Sequence, residues 1–108
     1  MGLYTTIVAE DGLRFQIKTG KLDSCAVFEI GDLLPWFFED DLYRIEVHDG
    51  VYEGIAGDGG DEGFVYRWVI IKDHKVHSTH SASLDASGHP LESEAEELGA
   101  RFGVAPDP

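Results

Sequence analysis

Three kinds of side chain in this 108-residue sequence have the chemistry to bind or react: histidines at 74, 77 and 80, a lone Cys25, and 21 Asp and Glu residues gathered in short runs. The histidine spacing of three invites a metal reading. On a regular strand, however, residues three apart point to opposite faces, so only His74 and His80 can share a side, six residues apart. With Ser78, Thr79, Ser81 and Ser83 interleaved, these histidines read as part of a polar edge strand that lends pH sensitivity to whatever it binds.

The segment Gly57-Asp58-Gly59-Gly60-Asp61-Glu62-Gly63 superficially resembles a phosphate-cradling turn. Such a turn must lead into a helix and usually brings a lysine, whereas this one leads into a strand and carries three acids that repel phosphate. Asp58, Asp61 and Glu62 can attract a hard cation, but their spacing departs from the calcium-loop pattern and supplies too few oxygens. The main reading is a solvated, mobile loop. Cys25, between Ser24 and Ala26 at the start of an apolar run, has only Lys21 nearby to lower its pKa, so it reads as a buried, inert thiol. No Gly-x-Ser-x-Gly elbow, His-Glu-x-x-His or Walker pattern occurs, and no carboxylate pair stands out from the rest. The sequence therefore predicts no enzyme and no cofactor.

A different kind of chemistry is written into Leu33-Leu34-Pro35-Trp36-Phe37-Phe38-Glu39-Asp40-Asp41, where three aromatics stand beside three consecutive acids. Trp36 and Phe37 are typical interface anchors, and an acidic rim of Glu39, Asp40 and Asp41 steers a basic partner toward them. The competing reading puts Trp36 and Phe38 in the core, since aromatics dominate small cores. Charge agrees with the first reading: 21 acids against 8 Lys and Arg give a formal −13 at pH 7. Such a surface repels nucleic acid and anionic lipid and attracts cations or basic proteins.

The elements that must position these groups are mostly strands. Leu13, Phe15 and Ile17 alternate with Arg14, Gln16 and Lys18, a half-buried antiparallel strand, and Asp11-Gly12 joins it to residues 3–9 as a hairpin. Further strands are expected at 25–30, 43–47, 51–56, 64–72 and 75–82, with turns at Asp49-Gly50 and Asp73-His74. The run FVYRWVIIK, apolar on both faces, reads as a central strand with a helix over one of them. That helix follows Pro90, placed for its first turn, with Leu91, Ala95, Leu98 and Phe102 forming one apolar stripe and Gly103 as its stop. The fold class is thus α+β: a mostly antiparallel sheet of about six to seven short strands with one C-terminal amphipathic helix packed on it. Residues 1–103 form a single domain and 104–108 a flexible tail.

One cysteine excludes an intramolecular disulfide. The opening MGLYTTIVAEDG has no basic and apolar leader pattern, and no apolar run approaches the roughly 20 residues of a membrane helix. A cytoplasmic protein is expected.

The stretches Met1-Gly2-Leu3-Tyr4-Thr5-Thr6-Ile7, Phe15-Gln16-Ile17-Lys18-Thr19, Gly31-Asp32, Asp49-Gly50-Val51-Tyr52-Glu53-Gly54 and Val69-Ile70-Ile71-Lys72-Asp73 resemble a group of small bacterial and phage proteins. These begin Met-Gly-Met/Leu-Tyr-Asp-Thr-Ile, continue to a Phe-Gln-Thr-Lys motif and end in a strand-turn-strand. Thr5 stands where that group usually has Asp. Some members carry Cys-x-x-Cys pairs like zinc ribbons; with one cysteine, this chain does not take over a zinc function. The group has no established activity, so the resemblance implies a bacterial or phage setting and nothing catalytic.

Taken together, these features predict a small acidic protein that inhibits a basic nucleic-acid-binding or nuclease partner, in the manner of a phage anti-defence protein that mimics DNA. Trp36, Phe37, Glu39, Asp40, Asp41, Asp58, Asp61 and Glu62 are the expected contact residues. Direct nucleic-acid and membrane binding are excluded by charge. The alternatives are an immunity protein that neutralises a toxin by the same steering, or a metal- or ligand-binding accessory protein built on the histidine edge and the acidic loop. Either a monomer or a homodimer paired through the polar edge strand fits the sequence.

Overall fold

The computed structural model describes residues 4–18, 27–33, 49–57 and 63–104. They form six strands and a helix: β1 (Tyr4–Val8), β2 (Arg14–Lys18), β3 (Val27–Glu29), β4 (Gly50–Ala56), β5 (Val65–Lys72), β6 (Lys75–Ser81) and α1 (Glu92–Phe102). This is the expected α+β class, a mostly antiparallel sheet with one C-terminal helix on it. The strand expected at 43–47 and the thiol of Cys25 lie outside the described residues.

The first hairpin forms where Asp11-Gly12 predicts it, with Ile7 opposite Phe15. Its turn closes when the Gly12 amide donates to the Ala9 carbonyl at 2.9 Å and the Ala9 amide to the Leu13 carbonyl at 2.8 Å. Gly12 has φ 87°, the left-handed position that a three-residue hairpin loop requires. Leu13 is consequently taken into the loop and exposed, while Phe15 and Ile17 are buried as their alternation predicts. The second tight turn is less usual, because Asp73 and His74 adopt φ 55° and 60° without a glycine. Asp49 offsets this: its carboxylate accepts the amides of Asp73 and His74, each at 2.9 Å.

Strand order is β3-β1-β2-β4-β5-β6, and all neighbours are antiparallel except β1 and β3. The sheet curls into a half-barrel until its two end strands meet. Past β3, the Gly31 amide donates to the Val76 carbonyl at 2.7 Å, the Val76 amide donates to the Asp32 carbonyl at 3.0 Å, and Leu33 bridges Lys75. A second pair of contacts crosses the curl from the β1–β2 turn. Glu10 accepts the Thr79 hydroxyl at 2.7 Å and its amide at 3.4 Å. Asp11 accepts two bonds from the Arg67 guanidinium, which also lies 5.0 Å above the Phe15 ring. The edge of β6 expected to be open for pairing is therefore occupied at Val76 and Thr79 by the chain itself.

Curling divides the apolar residues between two faces. Ile7, Ile17, Tyr52, Val69, Ile71 and Val76 fill the inside, with Phe28 and Ile30 packed against them. Ala9, Phe15 and Ala56 continue that interior toward the β1–β2 turn. Gly54 lies on β4 close against its two neighbouring strands, β2 and β5. A Cβ there would lie 3.1 Å from the Arg67 carbonyl oxygen, the Phe15 Cβ and a Val69 methyl. Outside, Val51, Trp68 and Ile70 are covered by Ala95, Leu98 and Phe102 of α1. β5 is thus apolar on both faces for the reason its sequence suggests, one face turned into the curl and the other under the helix.

Glu92 and Glu94 in the first turn of α1 and Arg101 in its last complement the helix dipole. Leu91 is the N-cap, and Pro90 lies before it in a bridge to Leu84, not in the first turn as expected. At the other end Gly103 is left-handed with φ 73°, and the Val104 amide donates to the Gly99 carbonyl at 2.9 Å. This glycine-stopped cap turns Val104 back onto the Trp68 cluster. Among the described residues no helix is long and apolar enough to cross a membrane.

Candidate functional site

The polar residues of β6 and the last turns of α1 form the most chemically varied surface among the described residues. A β-bulge creates it. Ile70 pairs with Ser78 and Ile71 with Val76, which leaves His77 as an extra residue with no partner on β5. At such a bulge the two residues facing a single partner turn toward one side of the sheet. His77, Ser78 and His80 therefore share the outer face. This corrects the expectation that histidines three apart diverge and that only His74 and His80 share a side. His74 stays apart from them in the turn, its Nδ1 3.7 Å from the Asp49 carboxylate.

The Ser78 hydroxyl lies 2.9 Å from His77 Nδ1 and 2.9 Å from His80 Nε2. A hydroxyl carries one proton, so it donates to at most one of the two ring nitrogens and accepts an N–H from the other. Both rings also pack on Phe102, each 5.1 Å from it between centroids. The Arg101 guanidinium stands 5.3 Å from the same phenyl ring. Burial is the first influence holding His80 below its ordinary value; Arg101 and His77 act in the same direction and Glu10 opposes them.

Beside these rings runs an open groove of about 520 Å³, lined by His80, Ser81, Glu94, Glu97, Leu98 and Arg101. Glu94 is fixed in it, accepting the Ser83 amide at 2.6 Å and the Trp68 indole N–H at 3.3 Å. The Ser83 backbone bond, followed by the Ser83 and Trp68 side chains, holds the Glu94 carboxyl below its ordinary value. Helix and edge strand are thus joined by both apolar packing and a carboxylate that reaches across the gap.

All the contact residues predicted from sequence, Trp36, Phe37, Glu39, Asp40, Asp41, Asp58, Asp61 and Glu62, lie outside the described residues. Among the described residues, no group of three or more His, Cys, Asp and Glu is placed to hold a metal ion. The residues that sequence reasoning missed are Ser78 as the link between two imidazoles, and Arg101 and Phe102 as their neighbours. The bulge leaves its mark in the structure, where Val76 and Thr79 are both buried yet three apart, an odd spacing that a strand accommodates by bulging between them, but a polar Thr79 does not announce that burial in the sequence.

Elsewhere on the surface several carboxylates have no cationic partner. Among the described residues Glu29, Glu53, Asp73, Glu92, Glu96 and Glu97 are exposed and form no ion pair, whereas Arg67 is bound to Asp11. Among known protein families, curated proteins and solved structures, none matches this chain.

Proposed function

We propose that this is a small acidic binding protein, not an enzyme, that inhibits a basic nucleic-acid-binding partner such as a nuclease or a defence complex, in a bacterial or phage cytoplasm. The observation that carries the reading is a net charge of −13 on 108 residues, little neutralised by the protein's own cations. Glu92 and Glu96 stand one turn apart on the exposed side of α1, about 6 Å along its axis at 1.5 Å per residue. Carboxylates held on a rigid scaffold stand in for phosphates, which duplex DNA presents about every 1.7 Å of axis. Long-range attraction of this kind raises association rates toward basic surfaces. The aromatic and acidic stretch Trp36, Phe37, Glu39, Asp40 and Asp41, with Asp58, Asp61 and Glu62, supplies the contact in this proposal.

The test is retention of proteins from a bacterial lysate on the tagged chain at low salt, eluted first with a short DNA duplex and then with high salt. The expected result is a basic nucleic-acid-binding protein released by the duplex, and retained far less by a Glu39→Lys, Asp40→Lys, Asp41→Lys variant. Retention indifferent to the duplex and to the variant, or no retention, overturns the proposal.

A further inference from the structure

We propose that His77, Ser78 and His80 form a proton-operated latch for the last turn of α1, closed while the His80 imidazole is neutral and shares the Ser78 hydroxyl with His77, and opened when His80 is protonated. The closed state is complete. One ring nitrogen offers an N–H, the other a lone pair, and Ser78 Oγ meets each at 2.9 Å. With His80 protonated its Nε2 can only donate to Ser78 Oγ, so the hydroxyl must turn its own proton to His77 Nδ1 or away from the pair. A charged His80 ring then lies 5.1 Å from Phe102, while Arg101 already lies 5.3 Å from the same phenyl ring.

The groups able to offset that charge are already engaged or exposed. From the β1–β2 turn Glu10, held by the hydroxyl and amide of Thr79, faces His80 and offsets part of that charge, but burial and Arg101 outweigh it. From α1, Glu94 is held by Ser83 and Trp68, Glu97 is exposed and screened by solvent, and Arg101 adds a like charge. Trp68 and Ile70 are the β5 residues opposite His80 and Ser78, and neither carries charge. Burial acts in the same direction, holding His80 below its ordinary value. Because the folded state disfavours the protonated ring, the latch is closed above the ordinary histidine range near 6.5 and weakens as pH falls below it. Opening releases Phe102 and Val104 from the Trp68 cluster, while the first turns of α1 stay docked through Ala95 and Glu94.

Amide hydrogen exchange, expressed as protection factors so that the intrinsic pH dependence cancels, tests this on the full chain. Between neutral pH and about pH 5, protection at residues 102–104 is expected to fall severalfold, while Val69–Ile71 in β5 keeps its protection. His80→Gln retains a neutral polar side chain and should flatten the dependence. Ser78→Ala should lower protection at residues 102–104 already at neutral pH. Protection that does not change with pH, that falls equally in the His77→Gln, His80→Gln double variant, or that falls in parallel in β5 overturns the latch.

Discussion

Inside the curl Ile7, Ile17, Val69, Ile71 and Val76 pack as an apolar cluster around Tyr52, whereas on the outer face Val51, Trp68 and Ile70 lie under a helix that also brings Glu94 and Arg101 against histidines. The same strand, β5, serves both. Its inward residues are held by walls on every side, so their contribution is set by volume. The outward residues are held by one helix whose attachment includes groups that titrate. The core of one face is thus set by volume alone, and the other is coupled to the protonation state of its contacts.

The largest expected effect breaks the inner face. Ile71 is fully buried, and Ile71→Ala should cost about 2–5 kcal/mol, the loss of buried methylenes plus the cavity they leave. Leu98 on α1 is half-buried, and Leu98→Ala removes less burial and leaves a site open to relaxation, so about 1–2 kcal/mol is expected. Urea denaturation of both variants checks this. Equal losses would show that the two faces do not differ in confinement.

A smaller effect tests confinement from the opposite direction, by adding volume. Gly54→Ala places a methyl 3.1 Å from Phe15, Val69 and the Arg67 carbonyl, and overpacking of this kind costs about 1–3 kcal/mol. The Arg67 carbonyl belongs to the backbone of a strand paired on both sides and has little room to yield. A Gly54→Ala protein with wild-type stability would show instead that the curl opens easily.

Much of this comparison is legible in the residues. Alternation around Phe15 and Ile17, the two-sided run Val65–Lys72 and the stripe of Ala95, Leu98 and Phe102 each report a local period, and local periods survive folding. What escapes is non-local. Glu10 meets Thr79 across 69 residues and Asp11 meets Arg67 across 56, contacts that follow from how far the sheet curls, which no single strand encodes. The histidine pair escapes because one extra residue at His77 reverses the facing that strict alternation assigns. The predicted partner contacts are legible only as composition, aromatics beside acids, and composition does not place them.

The smallest effect concerns the contacts that hold the curl together across the β1–β2 turn, where the inner face acquires its own pH dependence. Burial pushes Glu10 upward, but the hydrogen bonds from Thr79 and the nearby His80 prevail and hold it below its ordinary value. The Arg67 guanidinium does the same for Asp11. A carboxyl whose folded-state pKa is depressed contributes stability that is fully present above the unfolded value near 4 and is lost as pH falls through the folded one. Stability followed by urea denaturation from about pH 6 to pH 2 should therefore decline with acid, and Glu10→Gln should make that decline shallower. Ile71→Ala removes no titrating group, so its curve should run parallel to the wild type at lower stability. If Glu10→Gln also runs parallel, the Glu10–Thr79 contact does not couple the curl to protons, and acid sensitivity rests on the remaining depressed carboxyls, Asp11 among them.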